Sequence, residues 1–204
     1  MNILAHIYLS GSHEPVKVGN FTGDYVKGRG YLHYRPMIQK GILLHRTIDS
    51  FTDHNTLPRQ IKSLLRPYYR KYAGIVVDVF YDHFLANNWD EYSRIPLSVF
   101  VEDFYRILDD YFEVLPERVQ EFVPRMIQHN RLYSYQRLEG IERALTLMAR
   151  YSSLPEKTEA AMKVLVDQYE LINRNFHSFF PEIIDHVVEL YDIDIEQYHA
   201  AGHQ

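Results

Sequence analysis

Histidine and acidic residues at helical spacing within an apolar stretch constrain this chain more than any other feature of its sequence. Residues 41–54 place His45, Asp49 and Asp53 four positions apart. On a continuous helix these three side chains share one face, beside an apolar stripe. The ionisable groups are therefore predicted to lie at the edge of the protein core.

The same pattern occurs again in residues 74–86. Asp78 and Asp82 are four positions apart and have valine, tyrosine, isoleucine and leucine as neighbours on the helix. A buried carboxylate is unfavourable unless it is paired or bound to a metal ion. Two such helices packed together therefore predict a shared metal ion, although acids that form ordinary ion pairs on a helix surface would give the same spacing.

The candidate ligands are carboxylates and imidazoles, because the chain contains no cysteine. Oxygen and imidazole groups suit manganese, iron, magnesium or zinc. Periodicity does not separate direct ligands from residues that orient a ligating imidazole, so His6, Asp53 and His54 are kept as possible members of the site. The predicted metal ligands are Asp24, His45, Asp49, Asp78, Asp82 and His83.

The predicted fold is all-α, because no stretch shows the sustained alternation of a β-strand. We expect one helical domain over residues 1–204, with the motifs in 1–90 and supporting helices in 91–198. About nine or ten helices are expected, with a break at Pro67, a second break at about 178–179, and a frayed tail after about residue 196. The predicted helices are approximately 2–10, 15–27, 37–53, 57–66, 69–87, 97–112, 116–129, 137–151, 157–177 and 180–198.

Charge and hydropathy exclude several classes of protein. The net charge of −5 disfavours general nucleic-acid binding. No window approaches the ~18 apolar residues of a membrane span, and the first residues lack a signal-peptide pattern. We therefore expect a cytoplasmic protein that does not span a membrane.

A local reversal of charge follows the first acidic helix. Residues 57–72 contain no acid but carry five basic side chains. In an acidic protein such a stripe could bind an acidic partner, whereas a solvated helix face is the simpler alternative. The basic side chains are Arg59, Lys62, Arg66, Arg70 and Lys71.

Four segments of the chain resemble the acyl carrier protein phosphodiesterases, also called acyl carrier protein hydrolases. They are residues 1–6, 19–28, 44–53 and 78–86. Residues 138–145 and 179–182 are similar to the C-terminal half of that family. The motif positions that match are those of Asp24, His45, Asp49, Asp78, Asp82 and His83.

The resemblance implies a divergent member of the HD-type metal-dependent phosphohydrolases, all-helical and cytoplasmic. The expected reaction removes the 4′-phosphopantetheine arm from holo acyl carrier protein and leaves a free serine. Manganese is the expected metal, with magnesium or iron as alternatives. The holo carrier protein is the expected partner.

A catalytic hypothesis combines these residues. The metal ion would activate a water molecule, with His45, Asp49 and Asp82 in the catalytic set. Lys27 or Arg46 would stabilise charge on the phosphoryl oxygens, and His83 or His54 would supply the proton for the leaving serine. Two alternatives stay open: an HD-like hydrolase of a nucleotide or other small phosphoester, and a non-catalytic helical protein that binds an acidic carrier protein.

Overall fold

Helices form all of the regular secondary structure in residues 1–195, which are the residues that the computed structural model describes. The all-α prediction is therefore confirmed. Five short 3₁₀ turns connect the α-helices, at 23–25, 30–33, 70–72, 112–114 and 133–136. The α-helices are α1 (Ile3–Tyr8), α2 (Glu14–Thr22), α3 (Pro36–His54), α4 (Thr56–Tyr69), α5 (Ala73–Asn87), α6 (Trp89–Tyr92), α7 (Leu97–Asp110), α8 (Glu117–Gln128), α9 (Leu138–Tyr151), α10 (Thr158–Asp167) and α11 (Tyr169–Tyr191).

Neither of the two predicted breaks near proline occurs. Helix α4 continues through Pro67 to Tyr69, and α11 continues through Pro181. Proline removes one intrahelical hydrogen bond, but buried side chains on both sides hold these helices against the core. Tyr69 is buried after Pro67, and Phe180 and Ile183 flank Pro181 in the core.

Other boundaries also differ from the expected ones. The predicted helix 157–177 divides at Gln168, which ends α10 and precedes α11. Helix α2 ends at Thr22, so Asp24 lies on a 3₁₀ turn rather than on a helix. The region 88–95 contains the short helix α6, and the tail predicted to fray lies outside the described residues.

Helices α2 and α3 cross with their backbones in contact. A β-carbon placed on Gly19 would lie 2.1 Å from the carbonyl oxygen of Ile38. One placed on Gly41 would lie 2.2 Å from the carbonyl oxygen of Val16. No side chain fits at either position, and this crossing holds His45 of α3 close to Asn20 of α2.

Helix α5 runs through the centre of the core. Its residues 79–86 are all buried, and aromatic side chains of α11 pack against it. Tyr81 contacts Phe176 and Phe179 at ring-centroid distances of 5.7 and 5.4 Å. No helix in the described part of the chain is long and apolar enough to cross a membrane.

Candidate functional site

Two histidines and one aspartate converge where α1 meets α3. One ligand atom from each of His6, His45 and Asp49 lies within 4.8 Å of the other two. The two imidazoles stack with their centroids 4.2 Å apart. Because His45 and Asp49 are four residues apart on α3, the helical spacing brings them together as expected, while His6 is supplied by a different helix.

Asn20 orients both imidazole rings, a role that the sequence did not indicate. Its side-chain oxygen lies 2.7 Å from Nδ1 of His6, and its backbone oxygen lies 2.9 Å from Nδ1 of His45. Its amide nitrogen donates to the backbone oxygen of His6 and to Ser10. Each histidine therefore donates its Nδ1 proton to Asn20, which leaves Nε2 without a proton when the ring is neutral.

Two further carboxylates border this cluster. Asp24 Oδ1 lies 3.4 Å from Nε2 of His45 on the exposed side. Asp78 lies on the opposite side, where its Oδ1 is 3.3 Å from the amino group of Met1. The same amino group is 3.6 Å from Oδ1 of Asp49, so carboxylates from α3 and α5 share one cation.

Two buried polar atoms at the cluster have no hydrogen-bond partner within the described residues. They are Nε2 of His45, which lies 3.2 Å from Oδ2 of Asp49, and Oδ1 of Asp78, for which the amino group of Met1 at 3.3 Å is an ion-pair contact. Nε2 of His6 faces two oxygens, at 3.0 Å from the carbonyl of Met1 and 3.3 Å from Asp49. Imidazole nitrogens that can release a proton and carboxylate oxygens that lie close together suit a cation, so the donor set fits a divalent metal ion.

Burial and the neighbouring charges shift the pKa values of the three residues in the cluster. Burial lowers the pKa of His45, but the carboxylates of Asp24 and Asp49 outweigh it and raise that pKa to about 9. Burial and the charge of His45 lower the pKa of His6 to about 4. For Asp49, burial acts to raise the pKa, but contacts with His45 and His6 outweigh it and lower that pKa.

Asp82, predicted as a metal ligand and catalytic residue, is not brought to this cluster. Its two carboxylate oxygens accept the backbone N–H groups of Leu4 and Ala5, at 2.8 and 3.0 Å. These donors belong to the first turn of α1, whose own preceding residue Asn2 provides no side-chain cap. Asp82 therefore caps α1 from α5 and holds in place the helix that carries His6. Burial raises the pKa of Asp82 to about 7, although the two N–H groups lower it.

His83, the next predicted ligand, also has other partners. Its Nδ1 lies 2.8 Å from the backbone oxygen of Tyr135, and its Nε2 lies 2.9 Å from the hydroxyl of Tyr169. Both ring nitrogens are therefore hydrogen-bonded away from the cluster, and burial lowers the pKa of His83. The structure places this side chain in contact with Tyr135 and Tyr169, and not beside His6, His45 and Asp49.

The two cations expected to contact a phosphoryl group differ in their surroundings. Nη2 of Arg46 donates to the carbonyls of Val26 and Gly28, at 2.9 and 2.8 Å, and the guanidinium lies over the ring of Tyr31. Arg46 therefore ties α3 to the loop that follows Asp24. Lys27 is exposed on that same loop.

Asp53 and His54 lie on the exposed end of α3. Asp53 pairs with Lys62, whose Nζ is 2.7 Å from Oδ1 of Asp53. His54 bonds the backbone oxygen of Ser50 through Nδ1 and borders an open groove of about 530 Å³ between α3 and α11. Neither residue belongs to the group of three mutually close ligand atoms.

The basic stripe lies along α4 and the following turn. Arg59, Arg66, Arg70 and Lys71 are exposed, and none of them forms an ion pair with any residue in 1–195. Lys62 differs from these four, because it is paired and mostly covered. We call the four exposed residues the basic face.

Comparison with known proteins identifies the family. The model of the family described as acyl carrier protein phosphodiesterase matches residues 1–183. The chain belongs to the acyl carrier protein phosphodiesterase family. The resemblance drawn from the sequence motifs is thereby confirmed.

Curated relatives carry the same description. A protein of Photorhabdus laumondii named acyl carrier protein phosphodiesterase is 28% identical over 186 residues, which cover 91% of this chain and 94% of the relative. One of Klebsiella pneumoniae with the same name is 29% identical over 185 residues, covering 90% and 96%. No solved structure matches the chain, so the expected likeness to HD-domain phosphohydrolases stays a prediction.

Proposed function

We propose that this chain is a phosphodiesterase that removes 4′-phosphopantetheine from holo acyl carrier protein. Membership of the acyl carrier protein phosphodiesterase family supports the reaction. The convergence of His6, His45 and Asp49 within 4.8 Å is the structural observation that carries the proposal. Two imidazoles and a carboxylate that lie this close together suit metal-assisted hydrolysis of a phosphoester.

We propose a divalent metal ion, manganese first and magnesium or iron as alternatives, held by His6, His45 and Asp49. Asp24 would complete the donor set from the exposed side and Asp78 from the α5 side. Such an ion supplies Lewis-acid polarisation of the phosphoryl group and activation of water. Asn20 holds both imidazoles in the tautomer that leaves Nε2 free to bind a metal.

The reaction is a hydrolysis. Water forms a bond to phosphorus, the bond from phosphorus to the carrier-protein serine oxygen breaks, and that oxygen takes up a proton. The products are apo carrier protein and free 4′-phosphopantetheine. Arg46 contributes by fixing the loop that follows Asp24, because its guanidinium is bonded to the carbonyls of Val26 and Gly28.

The basic face is the proposed docking surface for the acidic carrier protein. It lies beside the start of α5, where Ile75 is also exposed. Asp78 follows Ile75 by three residues on the same side of α5, so the basic face leads directly to the carboxylate that borders the cluster. An exposed isoleucine near arginines that form no ion pair within residues 1–195 suits an acidic helical partner.

Intact mass measurement of holo acyl carrier protein tests the proposal. Incubation with the protein and Mn²⁺ should decrease the carrier-protein mass by one phosphopantetheine group, and a chelator should prevent this change. His45→Ala should retain helicity and lose the activity. Conversion of nucleotides with no change in holo carrier protein would favour the small-phosphoester alternative, and no metal binding and no turnover would favour a non-catalytic binder.

Charge reversal tests the docking surface separately. The triple variant Arg59→Glu, Arg66→Glu, Arg70→Glu should raise KM for the carrier protein at least tenfold, because the acidic partner would then meet like charge. Hydrolysis of bis(p-nitrophenyl) phosphate, which is too small to contact this face, reports on the site itself. Equal loss on both substrates would mean that these arginines stabilise the fold rather than bind the partner.

A further inference from the structure

Lys62 stands apart from the other basic side chains of α4. Its Nζ lies 2.7 Å from Oδ1 of Asp53, and its side chain is only 13% exposed. The carboxylate that it pairs with is 70% exposed. The lysine therefore lies inward and the aspartate outward, which is the reverse of an ordinary surface ion pair.

The absence of a side chain at position 74 makes room for Lys62. A β-carbon on Gly74 would lie 3.2 Å from Cε and 3.4 Å from Nζ of this lysine. Glycine within a helix is less favourable than alanine by about 1 kcal/mol. The space that glycine leaves is filled by the lysine stem, which crosses α5 one turn before Asp78.

The position of Lys62 places a positive charge among carboxylates of two helices. It pairs with Asp53 of α3, and its charge acts on Asp78 of α5. Burial raises the pKa of Asp78, whereas the amino group of Met1 and the ammonium of Lys62 act to lower it. Three carboxylates, those of Asp24, Asp49 and Asp78, lie at or beside the cluster, and the amino group of Met1 is the other cation that faces Asp49 and Asp78.

We infer that Lys62 is a positioning residue of the phosphodiesterase site and not part of the basic face. Its ammonium acts on the carboxylate of Asp78, which borders the cluster, and offsets part of the negative charge that an approaching phosphodiester meets. This inference rests on the proposed function. It separates Lys62 from Arg59, Arg66, Arg70 and Lys71, with which the sequence alone had grouped it.

Two substrates distinguish positioning from docking. Lys62→Met keeps most of the side-chain stem and removes the charge. It should lower kcat/KM about tenfold and by the same factor for holo acyl carrier protein and for bis(p-nitrophenyl) phosphate, because both must place a phosphodiester in the site. Lys62→Arg should restore most of the activity on both substrates.

Lys163→Met is the matched control. Lys163 forms an ion pair of the same length with Asp167, but that pair is exposed on α10. This variant should leave kcat/KM unchanged for both substrates. A loss confined to the carrier protein in Lys62→Met would place Lys62 on the docking surface and overturn the inference, as would unchanged activity on both substrates.

Metal affinity gives a second measurement that does not depend on turnover. The Lys62 ammonium repels a divalent cation held among the neighbouring carboxylates, so Lys62→Met should bind Mn²⁺ several-fold more tightly in isothermal titration calorimetry. Lys163→Met should match the unchanged protein. Equal affinity in Lys62→Met would contradict the placement of its charge beside the metal site.

Gly74→Ala tests the same inference without removing any charge. Its β-carbon would lie 3.2 Å from Cε of Lys62, so the lysine stem must shift by a few tenths of an ångström while the helix is supported. The melting temperature should not fall, and any loss of activity should be equal on both substrates and smaller than in Lys62→Met. A loss confined to the carrier protein would count against the role of Lys62. If the unchanged protein with Mn²⁺ hydrolyses neither substrate, the proposed function itself fails, whereas active protein with an unaffected Lys62→Met refutes only this inference.

Discussion

Asp82→Ala separates a structural role for this carboxylate from a role in metal binding. The substitution leaves the N–H groups of Leu4 and Ala5 without their acceptor in a buried environment. Each buried donor without a partner costs about 1–3 kcal/mol. Two donors give about 2–6 kcal/mol, of which part is recovered because a buried carboxylate is itself unfavourable.

The expected net loss is about 2–4 kcal/mol, a large share of the roughly 5–15 kcal/mol that stabilises a protein domain. Urea denaturation followed by circular dichroism, with a chelator present, measures it. The unfolding midpoint should fall by about 1–2 M. Asp82→Asn should lose less, because it keeps one oxygen to accept one of the two N–H groups.

Asp167→Ala is the control, since that carboxylate belongs to an exposed ion pair. It should change the free energy of unfolding by less than about 1 kcal/mol. If Asp82→Ala unfolds at the same urea concentration as the unchanged protein and loses only Mn²⁺ affinity, then Asp82 is a metal ligand and its role as the cap of α1 is refuted.

Two further predictions concern the crossing of α2 and α3 and the charge of His45. Gly41→Ala should lower the melting temperature and the activity together, because its β-carbon would lie 2.2 Å from the carbonyl oxygen of Val16 and force the helices apart. Thermal denaturation and a turnover assay measure the two effects. An unchanged melting temperature would contradict this prediction. In metal-free protein the pKa of His45 is about 9, above the ordinary 6.5. Its stabilising contribution is therefore complete below about pH 6.5 and is lost as the pH rises to about 9, on the order of 3 kcal/mol. Urea titrations across that range should show the loss, and His45→Ala should flatten it. Mn²⁺ affinity should increase over the same range, because His45 must release its proton to bind metal.

Helical periodicity predicted the contribution of α3 to the site but not that of α5. His45 and Asp49 share a face because four residues make about one turn, which needs no knowledge of the rest of the chain. Asp78 and Asp82 obey the same rule, yet one borders the cluster and the other caps α1. Their different partners come from the first residues of the chain, so spacing within α5 contains no information about them.

The roles of His6 and Asn20 could not be predicted from the sequence, because they depend on contacts between different helices. A histidine within a short apolar helix is usually a core residue bonded to a carbonyl, and His6 satisfies that description through Met1 as well as facing Asp49. Asn20 is fully buried, and its hydrogen bond with His45 crosses from α2 to α3, which Gly19 lets come close together, while its side chain bonds His6 of α1. An asparagine beside a glycine in an apolar helix is the signal that could have indicated this role.

The positions of the helix ends were also only partly predictable from the sequence. Proline disfavours the helix interior, but Pro67 and Pro181 are tolerated where neighbouring hydrophobic side chains are buried on both sides. Packing energy that outweighs a local preference is invisible in a single stretch of sequence. The class of fold, by contrast, followed from the lack of alternating stretches, which is a property of the whole chain.

The cap on α1 has a consequence for the order in which the protein matures. Asp82 lies 78 positions beyond the donor of Leu4, so the first helix emerges from the ribosome long before its acceptor is made. His6 can take its place only when α5 has folded against it. A nascent chain that stops short of α5 therefore carries every residue of α3 but no assembled cluster of His6, His45 and Asp49. If this cluster is the proposed metal site, gain of Mn²⁺ affinity marks the moment at which α1 and α5 join.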